Sequence, residues 1–150
     1  MAKSLSAENP SEKKISAGKL FFKKLNEAVA QNKSLLIEST LSGRYLQKFI
    51  ENPQARDYQI TIIFLFAKSS EILIERIVER VKKGGHHVPD EDVRRRFLRG
   101  KQNFWKIYKT LADKWLLYYN MEDSFRLVAI GEKNSSAFID EDLFEKFSEI

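Results

Sequence analysis

Apolar residues recur at a helical spacing in five segments of the chain. The run Asn9–Ser11 is typical of a helix start, and the period that follows predicts a helix to about Asn32. The same pattern predicts four more helices, at about 45–52, 70–83, 90–111 and 140–149. The segment at 70–83 is followed by Gly84-Gly85, and glycine is common just past a helix C-terminus.

Three short apolar runs have the composition of buried strands, at residues 35–37, 59–66 and 125–130. The run Gln59–Phe66 is apolar at nearly every position, as expected of a parallel strand that is covered on both faces. The first run is interpreted as a buried strand over about 34–38 that ends in polar residues. Strands that alternate with helices predict a three-layer α/β fold with a mostly parallel sheet.

The composition narrows the class of protein. A chain of 150 residues suffices for one compact domain, and an apolar share of 43% excludes wholesale disorder. The absence of Cys excludes disulfides, thiolate zinc sites, iron–sulfur clusters and Cys nucleophiles. No apolar run approaches the roughly 20 residues of a membrane span, and no signal peptide is visible. We therefore expect a cytoplasmic protein.

The net charge of +5 is concentrated between Arg76 and Lys101, a window with nine basic and four acidic residues. Two predicted helices carry its arginines, and the loop at 84–89 joins them. This arrangement predicts a lid that closes over phosphates, with candidates Arg80, Arg95, Arg96 and Arg99. Two other interpretations stay open: a solvated helix face, and a surface that binds an acidic partner or nucleic acid.

Glu38 and Thr40 directly follow the first predicted strand, at the edge where open α/β sheets bind ligands. A carboxylate there can accept hydrogen bonds from substrate hydroxyls, act as a base or hold a hydrated Mg²⁺. Thr40 adds a neutral hydroxyl two residues on. The structural alternative is that Glu38 caps the next turn.

His86 and His87 are adjacent, so their side chains point to different sides, and no carboxylate pair accompanies them at ligand spacing. We therefore predict no metal site here. A polar hinge and a phosphate contact from His86 are the two roles considered. Aromatic residues between Phe104 and Tyr119 follow the basic window, and their spacing favours core packing over base stacking.

Several segments together resemble the zeta-toxin-type ATPases, a family of small P-loop kinases. The segments are Ala17–Lys19, the string IESTLSG at 37–43, the strand IIFLF, and the string ERVKKGGHHVP followed by Arg94–Arg96. The resemblance covers roughly residues 2–130. The combination of ESTLSG with the GGH-x-VP loop and its arginines is specific.

The resemblance implies a P-loop kinase fold, ATP and Mg²⁺ as cofactors, and transfer of phosphate to a small-molecule hydroxyl. Characterised zeta toxins use a UDP-activated amino sugar as acceptor, and an antitoxin is the partner expected of a family member. By position, Glu38 and Thr40 match the pair that holds the acceptor. The lid arginines that contact nucleotide phosphates and act in catalysis are matched by Arg80 and by one or more of Arg95, Arg96 and Arg99.

One family feature is absent from these 150 residues: a first strand with a G-x-x-x-x-G-K-[ST] loop, followed by an Asp base. That loop cradles phosphates with backbone amides and a Lys, so we expect impaired ATP binding and catalysis. Residues 1–150 are interpreted as a single kinase domain truncated at its N-terminus, with the lid at about 76–103. In this fold the absent strand lies between those predicted at 34–38 and 59–66. An unpaired edge there favours a complementing chain or a homo-oligomer.

Overall fold

The computed structural model describes residues 10–52, 57–121, 123–132 and 135–149, with side chains from Gly18 onward. The chain divides into two compact units, Met1–Ile37 and Glu38–Ile150. The only helix in the described part of the first unit is α1 (Pro10–Ala30). A turn with Asn32 at φ +52° follows it, which asparagine tolerates better than most residues. The predicted first helix is therefore confirmed.

The segment after α1 does not form the predicted strand. Residues 33–44 contain neither helix nor strand, and Leu36 is 98% exposed. The prediction of a buried strand at 34–38 is wrong because three consecutive apolar residues do not by themselves specify a pairing partner. The chain then enters the short helix α2 (Tyr45–Ile50), close to the predicted position.

The described residues form one four-stranded sheet in the order β1 (Thr61–Phe66), β2 (Lys114–Asn120), β3 (Phe125–Glu132), β4 (Ser135–Phe138). β1 and β2 are parallel, whereas β2 with β3 and β3 with β4 are antiparallel. The strands predicted at 59–66 and 125–130 are confirmed, and the α/β class holds. The prediction of a mostly parallel sheet is wrong for the described strands, since β2 and β4 were not expected.

Two helices connect the parallel strands β1 and β2. Helix α3 (Ser70–Lys82) is capped at its N-terminus by Ser69, whose hydroxyl accepts a hydrogen bond from the amide of Ile72 at 3.5 Å. Helix α4 (Asp90–Asn103) follows the loop at 83–89 and continues through a π-helical turn (Phe104–Tyr108) into α5 (Lys109–Leu111). The helices predicted at 70–83 and 90–111 are confirmed.

Aromatic side chains from the sheet, the π-helical turn and α6 (Glu141–Ser148) form the core. Phe64 of β1 stacks on Phe104 with ring centroids 4.6 Å apart, and Phe147 of α6 contacts both rings edge-on. Phe104 and Tyr108 are fully buried, and Trp115 is nearly so. Core packing, as predicted, is the role of these aromatic residues. No helix in the described part of the chain is long and apolar enough to cross a bilayer.

Candidate functional site

The segment Glu38–Gly43, here called the ESTLSG loop, is a compact turn and not the end of a strand. The hydroxyl of Ser39 accepts a hydrogen bond from the amide of Leu41 at 3.1 Å. The hydroxyls of Thr40 and Ser42 lie 2.9 Å apart. Leu41 has φ +52°, a left-handed backbone that leucine rarely adopts. The strained residue of the loop, Leu41, is thus buried, and it is flanked by the exposed Thr40 and the half-buried Ser42.

Hydrogen bonds from helix α4 and from the π-helical turn hold the ESTLSG loop. The side-chain amide of Asn103 donates a hydrogen bond to the carbonyl of Leu41 at 2.8 Å. The hydroxyl of Tyr108 donates to the carbonyl of Gly43 at 2.7 Å. The backbone also approaches closely at Gly100, where a Cβ atom would lie 2.6 Å from the carbonyl oxygen of Thr40. Only glycine allows this approach.

The loop contacts place the backbone of Thr40 against α4. Its carbonyl oxygen lies against Gly100, the residue immediately after Arg99. On α4, Arg99 and Asn103 are four residues apart and therefore lie on the same side of the helix. The structure therefore brings the backbone of Thr40 against the helix that carries three of the four predicted catalytic arginines.

Those arginines differ in their partners. Arg95 forms an ion pair with Asp92, and Arg96 approaches the same carboxylate at 3.8 Å. Arg99 is exposed and forms no ion pair with any described residue. The carboxylate of Asp92 thus already faces two of the arginines, and the open cationic surface is smaller than the count of basic residues suggests.

A further ion pair joins helices α3 and α4. The guanidinium of Arg94 lies 3.4 Å from the carboxylate of Glu71 in the first turn of α3. A backbone hydrogen bond, aided by the hydroxyl of Ser70, holds the pKa of the Glu71 carboxyl below its usual value. Both partners are more than half exposed, so the pair orients the helices more than it stabilises them.

Arg80 is built into the turn between the helices. Its guanidinium donates to the carbonyl of His86 at 2.7 Å, and its own carbonyl accepts from the amide of Gly85 at 2.9 Å. Gly84 has φ +84°, which suits the predicted hinge. In the described part of the chain, no hydrogen bond joins Arg80 or His86 to Glu38 or Thr40. The lid candidates therefore fall into two groups, one at the turn between α3 and α4 and one on α4 itself.

A groove of about 830 Å³ runs along α3 beside Arg80. Its lining alternates in charge, with three cations, two carboxylates and an apolar floor: Ile72, Glu75, Arg76, Glu79, Arg80, Lys83, Gly84 and Gly85. Among the predicted site residues, only Arg80 belongs to it. The described residues contain no cluster of three acidic or His side chains that could hold a metal ion.

The residues that fix the ESTLSG loop were not recognised as such in the sequence. The sequence predicts a core position for Tyr108, where its ring lies, but it does not predict the hydrogen bond from its hydroxyl to the carbonyl of Gly43. Burial raises the pKa of that hydroxyl. Gly100 carried one visible signal, because glycine in a helix interior is costly unless something needs the space.

Comparison with known proteins gives a family. A protein-family model described as Zeta toxin matches residues 3–133. A protein from Haemophilus influenzae, described as an uncharacterized protein, is 27% identical over 97 residues, which are 65% of this chain and 69% of that protein. No solved structure is significantly similar to the chain. The range matched by the family model includes the ESTLSG loop and the whole of α3 and α4.

Proposed function

The chain belongs to the zeta toxin family, and we propose that it is a kinase-type phosphotransferase chain with an acceptor site and a phosphate lid but no P-loop. Membership supports a P-loop kinase-like function that uses a nucleotide. The finer proposal is transfer of the γ-phosphate of ATP to a small-molecule hydroxyl, with a UDP-activated amino sugar as the first candidate acceptor. Without a P-loop, the chain alone is impaired in this reaction.

A single arrangement carries the proposal: the ESTLSG loop lies on the helix that presents the arginines. Catalysis of phosphoryl transfer consists mostly of positioning the two reactants and stabilising the charge on the transferred group. The contact between the carbonyl of Thr40 and the backbone at Gly100, the residue after Arg99, supports the proposal, because an acceptor bound at the loop would then lie near α4. This proximity suits an acceptor hydroxyl and a phosphate that must meet.

The described residues fit parts of a nucleotide site. ATP bound with Mg²⁺ supplies the phosphoryl group. Arg99 would meet the phosphates first, because its guanidinium is exposed and bound to no carboxylate in the described part of the chain. Arg95 and Arg96 would exchange the carboxylate of Asp92 for phosphate, and Arg80 and His86 would contact phosphate from the other end of the lid.

The acceptor would be held by the loop's own side chains. The carboxylate of Glu38 is exposed and accepts hydrogen bonds from a hydroxyl, which orients that oxygen toward the transferred phosphate. The hydroxyl of Thr40 adds a second contact beside it, since its bond to Ser42 leaves a lone pair for a substrate donor. Neither side chain is occupied by an ion pair within the described residues.

The edge of β1 is the place that we propose for the absent P-loop strand. β1 pairs with β2 on one side and with no other described strand. Its side chains Ile63 and Leu65 are 60% and 47% exposed. A free edge without charge or proline is a template for another strand. A complementing segment or chain that carries a strand and a phosphate-binding loop would complete the sheet and the nucleotide site together.

Calorimetric titration with ATP and Mg²⁺ tests this proposal. We expect the 150-residue chain to bind ATP no more tightly than millimolar, since the lid arginines act without a cradle. A fusion that adds the whole absent segment ahead of residue 1, namely an apolar strand, a GxxxxGKT loop with its helix, and the Asp base, should bind in the micromolar range. The matched control is the same fusion with the loop Lys changed to Ala.

Micromolar binding by the unmodified chain would contradict the impaired function. Failure of the fusion to bind ATP better than its control would contradict the proposed role of the β1 edge. With a competent fusion, Glu38→Gln should reduce transfer to the acceptor while ATP affinity stays the same. Glu51→Gln, at the end of α2, is the control because Glu51 is also exposed.

A further inference from the structure

We propose that Asn103 and Tyr108 are positioning residues that hold the ESTLSG loop on α4. Phosphate bound at Arg99 then also stabilises the positions of the proposed acceptor residues, Glu38 and Thr40. The inference rests on the proposed function for the meaning of the loop, and on the observed contacts for the coupling. Neither residue needs to touch a substrate. Both act through backbone carbonyls of the loop.

The strain at Leu41 shows why the loop needs support. A leucine with φ +52° has an unfavourable backbone conformation, so surrounding contacts must select it. The hydroxyl of Ser39 binds the amide of Leu41, and the side chain of Asn103 binds its carbonyl. The Leu41 side chain is buried. Both peptide groups of the strained residue are therefore fixed, one by the loop itself and one by α4.

The π-helical turn explains how one helix reaches two points of the loop. In a regular α-helix, residues five positions apart point about 140° away from each other. In a π-helix the hydrogen bonds join residues five apart, so positions five apart lie closer to the same side of the helix than they do in an α-helix. The turn spans Phe104–Tyr108, and the side chains of Asn103 and Tyr108 both reach the loop. The π-helical turn thus helps two side chains to reach the loop, a role that could not be predicted from the sequence.

The consequence is a mechanical link between two parts of the site. Arg99 lies one turn before Asn103 on the same helix, and Gly100 between them is pressed against Thr40. A rigid helix with these attachments cannot shift at Arg99 without shifting the loop. Any ligand that stabilises α4 in this position therefore also stabilises the geometry of Glu38 and Thr40, and this is a coupling free energy between two sites.

Amide hydrogen exchange measured by NMR tests the first half of the inference. Asn103→Ala and Tyr108→Phe should each accelerate exchange of the Leu41 amide about five- to tenfold, the effect of one lost hydrogen bond. Exchange in β2 and β3 should not change. Gln102→Ala, one position away on α4, is the control. Asn103→Gln keeps an amide donor and should restore part of the protection. Unchanged Leu41 exchange, or equal acceleration in β2, would overturn the inference.

Inorganic pyrophosphate tests the coupling itself and serves as a phosphate probe that needs no acceptor and no P-loop. In the wild-type chain, saturating pyrophosphate should slow exchange of the Leu41 amide. In Asn103→Ala the probe should bind with similar affinity but leave Leu41 exchange unchanged, a result that a merely structural role would not give. A wild-type loop that ignores bound pyrophosphate, or a variant that responds as the wild type does, overturns the coupling. Failure of the P-loop fusion to bind ATP would overturn the proposed function separately.

Discussion

The helical stretch from Asp90 to Leu111 has two halves with different surroundings. In the front half, residues 90–99, arginines and acids face solvent and only Val93 is buried. In the anchored half, residues 100–111, Phe104 and Tyr108 are fully buried and the ESTLSG loop is attached. One continuous helical stretch therefore joins the face that carries the proposed phosphate-binding arginines to the core. Substitutions in the two halves should separate ligand binding from stability.

The largest expected effect is in the anchored half, at Phe104. This ring is fully buried and stacks on Phe64, so Phe104→Ala should lower the free energy of unfolding by about 3–5 kcal/mol. Urea denaturation followed by tryptophan fluorescence measures the loss. Leu98→Ala in the front half is the control, because Leu98 is 45% exposed and should cost much less. Equal losses at the two positions would contradict the division of the helix.

A second comparison uses glycines. Gly100→Ala places a methyl group 2.6 Å from the carbonyl of Thr40, and the forced shift should cost about 1–3 kcal/mol despite the better helix propensity of alanine. Gly18→Ala in α1 meets nothing within 4 Å and should instead stabilise the helix by about 0.5–1 kcal/mol. Thermal unfolding of both variants gives the sign directly. Stabilisation by Gly100→Ala would show that the loop is not held against α4.

Much of the fold, but little of the site, could be predicted from the sequence. The bounds of α3 and α4, the strand β1 and the aromatic core follow from local periodicity, because each element carries its own pattern. The strand β2 was missed because no Gly or Pro occurs between Gly100 and Gly131 to separate it from the preceding helix. Pairing direction and the partner of a side chain are long-range properties. The bonds of Asn103 and Tyr108 to a loop more than 60 residues away could not be read from spacing.

The segment at 35–37 shows the same limit from the other side. Its composition suits a strand, but a strand also needs a neighbour. The structure describes none for it, and Leu36 stays in solvent. The acceptor candidates Glu38 and Thr40 were located from this wrong strand. They remain candidates on a different ground, the attachment of their loop to α4.

The only buried cation of the helical stretch gives a pH dependence. Lys101 is 4% exposed, its ammonium lies 3.4 Å from the carbonyls of Lys146 and Glu149, and burial lowers its pKa from the ordinary value of 10.5. Between the lowered pKa and 10.5 the unfolded chain binds more protons than the folded chain. The contribution of Lys101 to the free energy of unfolding should therefore rise with pH through this range.

Comparison with Lys101→Met isolates this contribution. The difference in the free energy of unfolding between wild type and variant should shift in favour of the wild type as the pH approaches 10.5. Tyr108 acts in the opposite sense, because burial raises its pKa and its contribution is lost as the hydroxyl ionises. It is present in both proteins and cancels in the difference. A difference that does not change with pH would contradict a perturbed Lys101.

The smallest effect on stability is expected in the front half, and there it should coincide with a clear effect on binding. Arg99→Ala and Arg95→Ala should each change the free energy of unfolding by no more than about 0.5 kcal/mol, because both side chains are exposed. Their affinity for inorganic pyrophosphate should differ. Arg99 has no carboxylate to give up among the described residues, so its loss should weaken binding by roughly 10- to 100-fold, the worth of a charged hydrogen bond.

Arg95→Ala should weaken pyrophosphate binding less than Arg99→Ala does. Arg95 must first release the carboxylate of Asp92 before it can bind phosphate, and that exchange consumes part of the attraction. Calorimetry at two salt concentrations separates this competition from general charge, since screening weakens both variants alike. Asp92→Asn should then raise the affinity for pyrophosphate by freeing Arg95 and Arg96 together. Equal losses for the two arginines, with a gain from Asp92→Asn no larger than that from Glu91→Gln, which removes the same charge from an exposed position of α4, would mean that the front half attracts phosphate only through its net charge.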